Sequence, residues 1–134
     1  MKYFITALLV LFTMSLWSCA DPQQKETITQ PKPQDLVEIK DGHYKEWYPS
    51  KKQVKYEGML NKKGDREGKW NFYSEKGNLL SFTFYSAGKK NGHSVVKYPN
   101  GKIHYYGEYQ DDQMVGEWVT YNEKGEKTVQ NFNP

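Results

Sequence analysis

Three histidines (His43, His93, His104), one cysteine (Cys19) and the adjacent pair Asp111-Asp112 are the side chains from which chemistry would most readily be built. His43 and His93 each follow a glycine at matching places in the chain. A reacting group has no reason to recur in that way, so the recurrence points to a structural or surface role. No His-x-x-x-His metal spacing, Gly-x-Ser-x-Gly elbow or phosphate loop is present. With a single cysteine, neither an intrachain disulfide nor a cysteine-based zinc or iron–sulfur site can form. Asp111-Asp112 would need further oxygen ligands to hold a calcium ion and is simpler to explain as a polar turn. The expectation is therefore no catalytic residue, no metal, no cofactor and no enzyme.

Aromatic side chains are the other candidates. They make up 16% of the 134 residues, within a hydrophobic total of 37%, a bias that favours β structure in one small domain. Tyr56, Tyr105 and Tyr109 are candidate partner contacts, because a ring with a hydroxyl offers apolar area and a hydrogen bond at low entropic cost. The competing reading is that aromatics simply pack on one another, worth about 1.5–3 kcal/mol per buried ring. Nucleic-acid binding is not expected from a net charge of +3 with a single arginine, Arg66. Lysines at the turns either settle on anionic lipid or keep the sheet soluble.

These side chains are presented by a chain with three parts. Residues 1–18 carry Lys2 and then an uncharged, largely apolar run from Tyr3 to Trp17, the size of a signal-peptide core and short of the ~20 residues of a membrane span. The run ends Leu16-Trp17-Ser18-Cys19, which resembles the bacterial lipoprotein signal. That resemblance implies cleavage before Cys19, lipidation of Cys19, and a membrane-anchored protein on the exported side of the bacterial cell envelope. The alternative is ordinary secretion after a small-x-small site at Ser18-Cys19-Ala20. Residues 19–41 form a polar tether with Pro22, Pro31, Pro33 and four glutamines. Leu36 to Ile39 is a candidate first strand at its end.

Residues 42–134 are repetitive. Gly68, Gly92 and Gly116 are spaced 24 apart, and each has a second glycine nine positions on, at Gly77, Gly101 and Gly125. Trp70 and Trp118 hold the same place in their units, and an offset of 50 aligns Gly42-His43 and Tyr48-Pro49 with Gly92-His93 and Tyr98-Pro99. Alternating and aromatic-rich runs between turn signals predict strands near 44–48, 53–60, 69–73, 78–85, 93–98, 103–109, 117–121 and 126–132. Asn100-Gly101 is the strongest signal for a tight turn with positive φ at both positions. Eight strands in four hairpins make an all-β, single-layer antiparallel meander.

Tyr56-Glu57-Gly58 followed by Gly68-Lys69-Trp70, and Tyr105-Tyr106-Gly107 followed by Gly116-Glu117-Trp118, resemble the diverged bacterial form of the MORN repeat over about residues 42–132. Phe82-Thr83-Phe84 and Gly92-His93-Ser94-Val95 depart from that pattern. The resemblance implies an elongated, twisted sheet of about four β-hairpin MORN-like repeats, and it carries the label of toxin–antitoxin antitoxins. Trp47, Trp70, Phe72, Phe82, Phe84, Tyr106, Trp118 and Tyr121 are expected to stack along it as one stripe. The function expected is a protein-binding module for another envelope or secreted protein, anchored to the membrane by its lipid, with terminal strands open to self-association. The alternatives are an immunity or antitoxin-like protein neutralising a toxin, and a binder of glycans or anionic lipid surfaces.

Overall fold

The computed structural model describes residues 32–133. The segment expected to be a signal peptide, Cys19 and most of the expected tether lie outside the described residues. A short 3-10 turn over Pro33–Leu36 leads into nine strands. These are β1 (Val37–Lys40), β2 (His43–Trp47), β3 (Val54–Leu60), β4 (Arg66–Tyr73), β5 (Leu79–Ser86), β6 (Lys89–Lys97), β7 (Ile103–Gln110), β8 (Gln113–Tyr121) and β9 (Lys127–Phe132). They form one open antiparallel sheet in chain order, each strand pairing only with its sequence neighbours. The all-β antiparallel meander expected from the repeats is what the chain adopts, with nine strands rather than eight. The added one is β1, which pairs from Val37 to Lys40 with β2 at the end of the polar segment.

Three strands begin earlier than the sequence suggests, and the cause is common to all. Gly68, Gly92 and Gly116 look like turn residues at strand starts, but they lie inside β4, β6 and β8. At each, the pairing register with the preceding strand shifts, opposite Gly58, Phe84 and Gly107 respectively. The three glycines have φ of +66°, +106° and +65°, which a bulged strand needs and a side chain resists. The 24-residue glycine period is thus a period of bulges.

Turn geometry also differs from expectation at Asn100-Gly101. The loop there has three residues: Tyr98 N–H donates to the Lys102 carbonyl at 2.8 Å and Gly101 N–H to the Tyr98 carbonyl at 2.9 Å. Only Gly101 takes positive φ, because a type I turn followed by one left-handed residue closes the hairpin. The same loop recurs at Ser74–Asn78 and Asn122–Glu126. Two-residue turns with both φ positive occur instead at Asp41-Gly42, Ala87-Gly88 and Asp111-Asp112.

Two faces of one sheet

Side chains alternate across the sheet, so the expected single aromatic stripe divides between two faces. On the first, cross-strand pairs align Ile39, Tyr44 and Gly58, then Trp70, Thr83, Ser94 and Gly107, then Trp118 and Gln130. The indole of Trp70 lies flat over Gly58 and that of Trp118 over Gly107. A methyl on either glycine would sit 2.4 Å or 2.3 Å from the ring. Each indole N–H donates at 3.1 Å to the carbonyl just after its glycine, Met59 or Glu108. Trp70 is 1% exposed, so the repeat's Tyr-x-Gly and Gly-x-Trp elements are two halves of one packing device. The Tyr-Pro elements have a parallel role: the Tyr48 and Tyr98 hydroxyls each donate at 2.8 Å to the carbonyl of Tyr73 and Tyr121 respectively, two strands away.

The middle unit departs from this device in a compensated way. Thr83 stands where the glycine would be and Ser94 where the tryptophan would be, and their hydroxyls bond each other at 2.8 Å while both are buried. The departure was visible as Phe82-Thr83-Phe84, although its pairing with Ser94 needed the register. Removing one hydroxyl leaves the other with its partner lost, at a cost of about 1–3 kcal/mol. Thr83→Val or Ser94→Ala alone is therefore expected to lower the denaturation midpoint, and the double variant to recover part of the loss. A double variant no better than the sum of the singles would show that the bond contributes nothing.

The three candidate contact tyrosines lie on this same face. Tyr56 stacks on Tyr44 at 5.8 Å and tilts against Phe72 at 5.6 Å, between ring centroids. Tyr105 and Tyr109 come together on Trp118, at 6.0 and 4.9 Å. Tyr56, on β3, belongs to a different cluster from the two tyrosines on β7. All three are half-buried, with ring faces committed to their neighbours.

Cations complete both clusters, a feature that the aromatic count alone does not reveal. The Arg66 guanidinium is 4.5 Å from the Trp70 ring centre, 5.3 Å from Tyr85 and 5.7 Å from Tyr56. Lys90, one repeat later, lies 4.7 Å from the ring centre of Tyr109. Glu46 collects hydrogen bonds from the Tyr56 hydroxyl, from Lys55 Nζ at 3.0 Å and from the Tyr44 hydroxyl at 3.3 Å. Burial alone would raise the Glu46 carboxyl, but these donors outweigh it and pull it below 4.5. Burial, and then the bond to Glu46, pushes the Tyr56 hydroxyl well above its usual 10.0.

A raised folded pKa means that the folded chain holds its proton longer than the unfolded one. The contribution of Tyr56 is therefore complete below pH 10.0 and lost as pH climbs toward its folded value. Stability is expected to fall above pH 10.0, and Tyr56→Phe to flatten that slope in alkaline denaturation curves. An unchanged slope would place the alkaline titration elsewhere.

The candidate functional site

The second face carries a row with one residue from every strand: Glu38, Lys45, Glu57, Asn71, Phe82, Val95, Tyr106, Val119 and Val129. The first four are polar and the last five apolar. Since equivalent positions in the first unit are filled by Glu57 and Asn71, the repeat geometry does not require Phe82, Val95 or Tyr106 there. Val119 is fully buried in this row, whereas Val129 at its end is 41% exposed.

A shallow groove of about 570 Å³ lies over the row, between Phe82, Phe84, Val95, Tyr106 and Val115. Phe82 and Phe84 meet edge to face at 6.3 Å. Lys69 Nζ caps Phe82 at 4.3 Å from its ring centre. On the far side His93 Nδ1 is 3.0 Å from Glu108 Oε1, and Glu117 stands beside them. His43 is 3.8 Å from Glu57, which lies diagonally across from it while Met59 is directly opposite, so both recurring histidines approach a carboxylate on the following strand. His104 stacks on Tyr98 at 4.3 Å.

Asp111 and Asp112 form a hairpin turn in which Asp112 Oδ1 accepts from the Lys90 backbone N–H at 2.8 Å. Among the described residues, no cluster of three or more His, Cys, Asp or Glu is placed to hold a metal ion. None of the helices among them is long and apolar enough to cross a membrane.

The class that fold and face define is a repeat sheet with one self-packed aromatic face and one face that is half polar and half apolar. No protein-family model matches the chain, and no curated protein matches it.

Proposed function

We propose that this chain is a non-enzymatic lipoprotein of the bacterial cell envelope, whose MORN-like repeat sheet is a binding module for another envelope protein. The observation that carries this reading is the change from polar to apolar along the cross-sheet row. Phe82, Val95 and Tyr106 present apolar area that the repeat does not need for its own packing, in a groove flanked by Lys69 on one side and by Glu108 and Glu117 on the other. An apolar floor with a charged rim suits a protein surface. The tryptophan face suits it less, since Tyr56, Tyr105 and Tyr109 are engaged with their own tryptophans. The signal-like segment ending at Cys19 supports the address, and the polar tether supports presentation away from a membrane.

The test is photo-crosslinking in intact cells, with a photoreactive residue at Tyr106 or Phe84 and, for comparison, at Tyr56. A discrete adduct with one other protein from the groove positions, and none from Tyr56, is expected. Adducts from Tyr56 alone, or none from any position in a correctly localised protein, would defeat the reading. Cys19→Ser is expected to move the protein out of the membrane fraction, and retention there would remove the lipid anchor.

A further inference from the structure

We infer that the edge of β9 left unpaired among the described residues pairs with β9 of a second copy, joining two sheets into one through a two-fold axis. The two edges of the sheet are built differently. β1 is four residues long, follows a proline-containing turn and carries Glu38 and Lys40, features that blunt an edge. β9 is six residues long, has neither proline nor bulge, and carries one charge, Lys127, at its start.

The backbone restricts the register to those that oppose outward-facing residues, and one of these uses every such residue of both copies. Asn122 N–H bonds the Glu126 carbonyl. By antiparallel alternation Thr128, Gln130 and Phe132 then spend their N–H and C=O groups on β8. Lys127, Val129 and Asn131 therefore direct theirs outward. These three satisfy one another across a two-fold axis when Val129 faces Val129 of the second copy and Lys127 faces its Asn131. In that register the lone charge meets an amide, and no like charges are opposed. Glu117 flanks Asn131 on the same face, which favours the incoming lysine.

The side chains give an independent reason for the same register. Lys127, Val129 and Asn131 all lie on the groove face, and Val129 ends the apolar row that starts at Phe82. Facing Val129 to its copy continues the row without interruption, and it covers a valine that the single chain leaves exposed.

Variants of the full chain with one added cysteine test this by disulfide formation under mild oxidation, with the parent chain and its Cys19 as baseline. Opposed residues in such a register have Cα atoms ~5.5 Å apart, within disulfide reach. Val129→Cys is expected to form a product of twice the single-chain mass at least about tenfold faster than Thr128→Cys or Ile39→Cys, which the register keeps out of reach of their own copies. Val129→Lys places like charges opposite each other at an already exposed site. It is expected to keep the parent's circular dichroism, and to sediment as a monomer where the parent sediments as a dimer. Equal rates at 128 and 129, a faster reaction at Ile39, no product above baseline, or a product of another mass would each overturn self-pairing. So would a parent chain that stays monomeric on sedimentation in detergent. An adduct from the groove positions is unaffected by any of these results, so the binding reading and the pairing fail separately.

Discussion

Trp70→Ala or Trp118→Ala is expected to cost about 3–5 kcal/mol, the usual range for truncating a buried aromatic. Each indole is the lid of its unit. Its loss uncovers Gly58 or Gly107, leaves the carbonyl of Met59 or Glu108 without its donor, and removes ring partners including Tyr44 and Tyr85, or Tyr105 and Tyr109. Arg66 would also lose the closest of its three rings in the Trp70 variant. Urea denaturation followed by far-ultraviolet circular dichroism would measure the loss. A change below about 1 kcal/mol would mean that the indoles are replaceable, since surface substitutions stay near that size.

The converse substitution, Gly58→Ala or Gly107→Ala, is expected to cost about 2–3 kcal/mol by overpacking. Neither glycine has positive φ, so the cost comes from close approach alone. A methyl group placed 2.4 Å from Trp70 Cδ2 or 2.3 Å from Trp118 Cδ2 must displace a ring that is held by its N–H bond and by neighbouring aromatics. If this is the cause, Gly58→Ala combined with Trp70→Leu should be less damaging than the sum of the two changes. Additivity within error, measured by a double-mutant cycle in urea, would show that ring and methyl do not collide. Ala at Gly64, which has open space and φ of +85°, separates the two effects, because its cost is conformational only.

Much of the fold was legible because meanders announce themselves locally. The spacing of Gly68, Gly92 and Gly116 and the loops around Gly77, Gly101 and Gly125 gave the number and order of hairpins, and Leu36 to Ile39 pointed to β1. Strand starts were misplaced because a glycine with positive φ looks the same in a sequence whether it ends a hairpin or bulges a strand. The assignment of faces was not legible for a related reason. Alternation says which residues of one strand share a side, but matching one strand to the next needs the register, and every bulge resets it. Thus Trp70 and Phe82, placed in one stripe from sequence, stand on opposite faces. Tyr56, Tyr105 and Tyr109 were picked out by type, whereas their commitment to Tyr44, Trp70 and Trp118 depends on contacts across strands. The polar-to-apolar row, which places the groove, is visible only when eight registers are read together.

Nearest-neighbour pairing also governs how the chain reaches its final state. Every strand finds its partners within the next or previous hairpin, so little loop entropy stands between the unfolded chain and each contact. Folding can start wherever a tryptophan first closes over its glycine and then spread in both directions, as a one-dimensional array does. A chain that emerges slowly from a channel could add hairpins as they appear, without waiting for its C-terminus. Opening should run the other way: β1 and β9, each paired on one side only among the described residues, exchange their amide hydrogens first, and the strands around Trp70 and Trp118 last.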